Sequence, residues 1–339
     1  MKAAILRAPF DLRIEEVPVP TVGTHDVLIA PRSVGICGTD ISVYKGEFSI
    51  ARPLVLGHEL AGVVTEVGSE VARLKVGDRV TVEPSWGCEQ CLYCQKGWTL
   101  HCMKKSSMGR TVDGALAEFV RVPERVVYQI GDEVAFDEAQ ATSTIASALR
   151  AMSRLGPWLG TSTAVLGSGH GGLILLQLCR LAGVRTVVVV GGSREHRLRV
   201  AEQLGADLTV RAGSPRSVDT VLGATGGLGV DSAIEASGVP DSVILAMELV
   251  RRGGTVMLFG IYEVPAETFP LADMYNKELT LIGSKGGFEN YPHAIALLNA
   301  RKIQLAPLIS HNLPLDEVGT GIRIVSGRDD NALRVVIKQ

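Results

Sequence analysis

Apolar residues fall along this chain in two patterns. Over residues 1–150 they come as short runs such as Val27-Leu28-Ile29-Ala30, Ala61-Gly62-Val63-Val64 and Val80-Thr81-Val82, cut by Gly, Pro and Asp. β-Branched runs bounded by turn formers predict short strands, so this part reads as a β-rich, barrel-like domain. The pattern changes near Leu155-Gly156-Pro157. Residues 163–166 and 186–190 are continuously apolar, as strands buried on both faces are, and 171–182 and 194–204 carry helical patterns. Residues 232–234 and 255–259 repeat the strand signal, with a helical pattern at 241–250 between them. Alternating strands and helices predict a doubly wound α/β arrangement, a parallel sheet covered on both faces. From about residue 285 short mixed elements return. Residues 332–337 alternate in the manner of a strand, which is expected to rejoin the first domain.

The chain has 339 residues, 46% of them hydrophobic, which favours two domains with substantial cores. A net charge of −2 gives no electrostatic footing for binding nucleic acid or an anionic membrane. The most apolar stretch, 173–190, contains Arg180 and Arg185, so it reads as helix, turn and strand and not as a membrane span. The opening Met1-Lys2-Ala3-Ala4-Ile5-Leu6-Arg7 breaks its apolar run after four residues, too few for a signal peptide. Five of the six cysteines have candidate metal roles, and thiols used in that way suit a reducing cytoplasm.

Cys88, Cys91, Cys94 and Cys102 follow the spacing C-x2-C-x2-C-x7-C. Four thiolates so close can surround one tetrahedral zinc and close its coordination. Two disulfides are one alternative. An iron–sulfur cluster is another, although ferredoxin runs close with a gap of three and a proline, whereas here the last gap is seven and Met103 follows. The metal would clip residues 83–103, an excursion with no core of its own. A second donor set is Cys37, in Gly35-Ile36-Cys37-Gly38-Thr39-Asp40, with His58 and Glu59, in Gly57-His58-Glu59. A thiolate, an imidazole and a carboxylate suit a catalytic zinc with one position left open.

The segment Ala164-Val165-Leu166 runs into Gly167-Ser168-Gly169-His170-Gly171-Gly172, which opens a helix. Between a buried strand and an apolar helix this is a dinucleotide turn: Gly167 makes the bend, Gly169 lets backbone approach a pyrophosphate, and Gly172 lets helix pack on strand. Free N–H groups at the helix start would receive the phosphates, with Gly171 in the same turn. An NAD site shows Asp or Glu at the end of the next strand. This chain has Gly191-Gly192-Ser193-Arg194 there, with no carboxylate to repel a 2′-phosphate. A cation at a helix start opposes the dipole, and a bound phosphate would offset it. Gly192, Ser193 and Arg194 therefore predict NADP in preference to NAD. Cys179 lies on an apolar helix and reads as a core residue.

Taken together, the Gly57-His58-Glu59 motif, Ala61-Gly62-Val63-Val64, the turn Val76-Gly77-Asp78-Arg79-Val80, the four-cysteine loop and the glycine turn give a chain that resembles the zinc-dependent medium-chain alcohol and polyol dehydrogenases, in the sorbitol and threonine dehydrogenase-like branch. The resemblance implies a GroES-like catalytic domain, residues 1–152 and 286–339, interrupted by a Rossmann domain, residues 153–285, with the active site in the cleft between them. It implies two zinc ions per subunit, a homodimer or homotetramer, and a small-molecule alcohol or ketone as partner. Cys37, His58 and Glu59 fall on catalytic zinc positions, Glu59 being a ligand in some relatives and a neighbour in others. Asp40 falls where a carboxylate orients the histidine, and Thr39 falls on the hydroxyl that takes the substrate proton. Phe48, Trp86 and Lys285 fall at pocket positions. His170, inside the glycine turn, either touches the nucleotide or serves only the helix start. Two departures stand out. Ser143 occupies a place where polyol and threonine enzymes carry a carboxylate, and Ser42 replaces a histidine that ends the proton relay in many relatives. The implied reaction moves a hydride between NADP(H) and a secondary alcohol of a polyol, sugar or cyclitol. A threonine-type amino-alcohol dehydrogenase and a non-catalytic nucleotide sensor are the alternatives.

Overall fold

In the computed structural model, which describes residues 1–48, 50, 53–262, 269–327 and 331–339, the punctuated apolar runs near the start form short strands. These are β1 (Lys2–Ala8), β2 (Asp11–Glu16), β3 (Asp26–Gly35), β4 (Leu54–Val55), β5 (Glu59–Val67), β6 (Arg79–Val82), β7 (Ser85–Trp86), β8 (Ser106–Ser107), β9 (Val120–Pro123) and β10 (Val127–Gln129). The α/β part contributes β11 (Ser162–Leu166), β12 (Thr186–Gly191), β13 (Leu208–Arg211), β14 (Val230–Glu235), β15 (Val250–Leu258) and β16 (Thr280–Gly283). The chain then adds β17 (Ile309–Pro314) and β18 (Arg334–Lys338). Two compact units result. One comprises Met1–Ser143, Tyr291–Arg301 and Ile309–Gln339, and the other Thr144–Asn290 and Lys302–Leu308.

In the first unit β3 is the hub. One edge pairs antiparallel with β5. The other edge is shared: Asp26 to Ile29 pair with β9, and Ser33 to Gly35 pair with β18. Pro31, which has no N–H to donate, sits between the two stretches. The larger sheet runs β10-β6-β5-β3-β18-β17, with β9 added on β3, and a smaller sheet runs β2-β1-β4. Val27, Ile29, Val34, Leu60, Val64, Val80 and Val122 close one core beneath them.

The alternation expected of the last strand is absent, because β18 is covered on both faces: Arg334, Val335, Val336 and Ile337 are all buried. Val335 and Ile337 join the core, where the helix Val318–Ser326 approaches so closely that a Cβ on Gly321 would lie 2.5 Å from Ile36 and 3.3 Å from Val335. Arg334 fills the other side. Its guanidinium donates to the Ile36 carbonyl at 3.0 Å, to the Gln140 side chain and to the Glu59 carboxylate. A Cβ on Gly35 would fall 1.8 Å from that guanidinium, so glycine is what leaves the space. Both ionic side chains are almost fully buried, at 4% and 6% exposure.

Glu83 is a second buried carboxyl, with the Tyr128 hydroxyl at 3.3 Å, and Tyr128 in turn stacks on Tyr291 at 5.1 Å. Burial pushes the Glu83 carboxyl up to about 7.

The second unit is a six-stranded sheet of order β13-β12-β11-β14-β15-β16, with every neighbouring pair parallel. Val187 to Val190 of β12 are buried on both faces, which is why they read as a continuous apolar run. The helices His170–Leu181, Glu195–Gln203, Ser217–Ala224 and Pro240–Leu249 make the crossovers. The strand order reverses between β11 and β14, the place where such sheets bind ligands at their carboxyl ends. The opposite end is stapled: Asp231 accepts from Ser162 N and Oγ at 2.8 Å and from Arg251 at 2.7 Å. Among the described residues no helix is long and apolar enough to cross a membrane.

Two stability outcomes follow. The Glu83 carboxyl is neutral in both folded and unfolded chains well below pH 4.5. Between 4.5 and about 7 the unfolded chain ionises while the folded chain keeps its proton, so stability falls as pH rises and levels off above 7. The full loss is about 3 kcal/mol at most. Glu83→Gln should therefore stabilise the protein by about 2 kcal/mol at pH 8 and by little at pH 4.5 in urea unfolding; an equal effect at both values would refute the assignment. Arg334→Met strands the Glu59 carboxylate, and the urea midpoint should report a loss of about 3–5 kcal/mol. A loss below about 1 kcal/mol would mean that the pair does not hold β18 in place.

Candidate metal centres and dinucleotide site

The four-cysteine lobe hangs from the β7–β8 ribbon, whose base is tied by Ser85 Oγ to Ser107 Oγ at 3.0 Å. Its own helix, Leu92–Gln95, buries none of its residues, and Leu92, Trp98 and Met103 are exposed. The four Sγ atoms nevertheless lie within 4.8 Å of one another. A tetrahedral zinc with bonds of about 2.3 Å sets its sulfurs about 3.8 Å apart, so the donor set fits one ion. All four thiols are free, and Cys91 Sγ lies 3.5 Å from Cys94 Sγ, far beyond a disulfide bond. Backbone N–H groups of Gln90 and Cys91 pull the Cys88 thiol down to about 6, while desolvation pushes Cys94 up to about 12. The four sulfurs cannot all be thiolates unless a cation sits among them.

The second donor set assembles from two segments that β3 and β5 bring side by side. Cys37 caps the helix Gly38–Lys45, and His58 and Glu59 lie at the start of β5. Their ligand atoms lie within 4.8 Å of one another. Asp40, at the third helical position, is 1% exposed. Its carboxylate accepts from Cys37 N at 2.9 Å and Gly57 N at 3.2 Å, and faces His58 Nδ1 at 3.1 Å. Burial would raise the Asp40 carboxyl, but His58 and the two peptide N–H groups outweigh it and hold it below the usual range. With Nδ1 turned to Asp40, Nε2 is the nitrogen left to meet a metal. Gly57 has φ +89°, and a Cβ there would lie 2.6 Å from the Leu116 side chain. Glu59 belongs to the set by distance, yet its carboxylate is already engaged by Arg334. Thr39 sits partly exposed on the first turn of the same helix, and Ser42 is buried in it. Ser143 is partly buried on the helix Thr142–Leu155.

In the second unit Gly167 has φ +124°, with backbone of Ala236 2.9 Å from where its Cβ would be. A Cβ on Gly172 would lie 1.8 Å from the Gly167 carbonyl oxygen. Gly169 caps the helix His170–Leu181, leaving first-turn N–H groups directed at the turn. Gly171 packs near Phe259, and His170 is partly buried at the helix start. At the end of β12, Gly192 faces open space, Ser193 is exposed, and Arg194 caps the helix Glu195–Gln203.

Sequence reasoning missed two residues here. Arg197 stands one turn after Arg194, and its guanidinium reaches 3.8 Å from where a Cβ on Gly169 would be. Desolvation and the Arg194 charge draw Arg197 down to about 10. The i, i+3 spacing from Arg194 was the available signal. Glu235, fully buried at the end of β14, accepts from Ser237 N at 2.7 Å, Gly238 N at 3.1 Å and the Ser237 and Tyr262 hydroxyls. It shapes the Ala236–Ser237 backbone that packs on Gly167. Cys179 is fully buried, and burial pushes its thiol up to about 12. Trp86 is partly exposed on β7, Phe48 lies under the Arg110 guanidinium, and Lys285 is exposed in the second unit.

Comparison with known proteins agrees with this chemistry. Residues 23–132 match the model of the alcohol dehydrogenase GroES-like domain, and residues 172–300 match that of the zinc-binding dehydrogenases. An L-threonine 3-dehydrogenase of Symbiobacterium thermophilum is 31% identical over 95% of this chain and 93% of its own. A sorbitol dehydrogenase of Gallus gallus is 30% identical over 95% of both. A zinc-binding dehydrogenase structure from Sinorhizobium meliloti, solved bound to NADP, superposes with a TM-score of 0.94, at 30% identity over 100% of this chain and 99% of that one. The chain therefore belongs to the zinc-dependent alcohol dehydrogenases, oxidoreductases that act on CH–OH groups and join a GroES-like domain to a Rossmann-type parallel sheet.

Proposed function

We propose that this enzyme moves a hydride between NADP(H) and a secondary alcohol or ketone of a polyol, sugar or cyclitol, with two zinc ions per subunit. The observation that carries the reading is the Cys37–His58 pair held by a buried Asp40. Similarity to sorbitol dehydrogenase supports the polyol class. In this reading residues 1–152 and 286–339 carry the chemistry, and 153–285 carry the dinucleotide.

Cys88, Cys91, Cys94 and Cys102 hold one zinc and keep the lobe in shape. Cys37 and His58 hold the other, with Glu59 beside it and restrained by Arg334. When bound there, zinc supplies a Lewis acid that acidifies an alcohol or polarises a ketone. Asp40 fixes the imidazole tautomer and ring plane. The Thr39 hydroxyl takes the substrate proton. With Ser42 in place of a relay histidine, the next acceptor after Thr39 would be a ribose hydroxyl of the bound dinucleotide, and then water. Gly167, Gly169, Gly171 and Gly172 bring peptide N–H groups to the pyrophosphate. Gly192 leaves room, and Ser193, Arg194 and Arg197 receive the 2′-phosphate. Six reduced thiols suit the cytoplasm. Self-association is supported by β16, an edge of its sheet, with Phe269, Leu271 and Tyr275 exposed just before it.

A panel of polyols, sugars, cyclitols and L-threonine, assayed with NADP and NAD, tests the reading. NADP-linked turnover of a polyol or cyclitol is expected, and preference for L-threonine would move the enzyme to the amino-alcohol class that its threonine dehydrogenase relative represents. Metal analysis should return two zinc equivalents, falling to one in Cys37→Ser with turnover abolished. Retained turnover in that variant would end the catalytic assignment. Arg194→Ala should weaken NADP binding about 10- to 100-fold and leave NAD within about twofold, by fluorescence titration. Equal effects on the two cofactors would mean that Arg194 does not read the 2′-phosphate.

A further inference from the structure

Arg110 lies in the turn that follows β8. Backbone N–H groups of Arg110, Thr111 and Val112 converge on the Ser107 carbonyl at 3.1, 2.9 and 3.2 Å, and Gly109 N–H bonds the Val112 carbonyl at 2.9 Å. Gly109 has φ +67°, and a Cβ there would lie 3.1 Å from Gly57 N. The turn is thus pressed against the residue before His58. The Arg110 guanidinium lies 4.1 Å from the centroid of the Phe48 ring. Phe48 follows the helix that carries Cys37, Thr39 and Asp40. Gly109 thus abuts the residue before His58, and Arg110, next in the turn, reaches Phe48 just beyond the helix that Cys37 caps.

Its charge is the unusual feature. Arg110 is partly buried, yet among the described residues its side chain has no carboxylate or carbonyl partner and lies over the Phe48 ring. Arg334 has Glu59, and Arg251 has Asp231. Burial draws the Arg110 guanidinium below its ordinary range. The ring face returns only about 0.5–2 kcal/mol. The ring takes up none of the guanidinium's N–H donors. A partly buried fork of unused donors suits a carboxylate or phosphate.

We infer that Arg110 is a specificity residue that receives an anionic oxygen group, carboxylate or phosphate, carried by the alcohol on a carbon remote from the reacting one. The inference rests on the dehydrogenase reading for where the alcohol sits, and it narrows the substrate class to acidic derivatives of polyols or sugars.

Sorbitol, gluconate and sorbitol 6-phosphate serve as probes, with wild type, Arg110→Gln and Arg110→Lys. In NADP-linked assays at least one acidic probe should exceed sorbitol in kcat/KM by about tenfold or more. Arg110→Gln should lower that value about 10- to 100-fold, chiefly through KM, and change sorbitol less than about threefold. Arg110→Lys should recover part of the loss, which a merely structural role would not give. Calorimetric titration of the zinc-loaded protein with NADPH and each acid reads binding without turnover. The hydroxy acid and the phosphate ester separate the two anion sources. No binding of either acid to wild type, or equal binding to Arg110→Gln, would overturn the inference. Sorbitol oxidation without acid preference would leave the dehydrogenase reading and remove this one. Arg110-dependent acid binding without turnover of any alcohol would do the reverse.

Discussion

A carboxylate as far from water as Asp40 must be matched by donors, and where those donors sit determines how the surrounding backbone runs. Two of them are peptide N–H groups, one at the start of a helix and one in the turn before β5; the third is an imidazole. The carboxylate therefore ties together two segments about twenty residues apart and aims one nitrogen of His58 into the space beside Cys37. Glu235 does the same in the other unit, drawing two loop N–H groups and two hydroxyls to itself and so setting the backbone that meets Gly167. In both places a buried acid holds irregular chain that apolar packing alone could not orient.

The two clusters of metal-binding character are built differently. The four cysteines come from one continuous excursion with almost no core, so an ion there would supply the cohesion that packing does not. Cys37 and His58 come from elements already fixed by the β3–β5 pairing and the core beneath it. Rigidity of that kind would suit the proposed zinc centre, which needs one position left open.

Much of this architecture is legible in the sequence where periodicity reports burial. Val187 to Val190 read as a doubly covered strand and are one. Val27 to Ala30 read as a strand and lie in the hub strand. Cys37, His58 and the cysteine loop are visible because their spacing carries chemistry. Periodicity fails where a polar residue is buried for a reason supplied by a distant segment. Arg334 looks like the exposed position of an alternating strand, yet it is enclosed because Glu59, Gln140 and a missing side chain at Gly35 make a place for it. Glu83, Glu235 and Arg197 are hidden for the same reason. Each takes its meaning from a neighbour that the chain reaches only after folding.

The shared edge of β3 bears on how the molecule is made. Its first half is covered by β9, roughly a hundred residues downstream, but its second half waits for β18, about 300 residues after it is synthesised. Throughout translation of the intervening parallel-sheet unit, Ser33 to Gly35 present an unsatisfied strand edge next to the nascent cysteine-bearing helix. Long-range closure of this kind is slow and exposes the growing chain to wrong pairings. The donor cluster at Cys37 thus matures late, only once β18 has been made and has paired with Ser33 to Gly35.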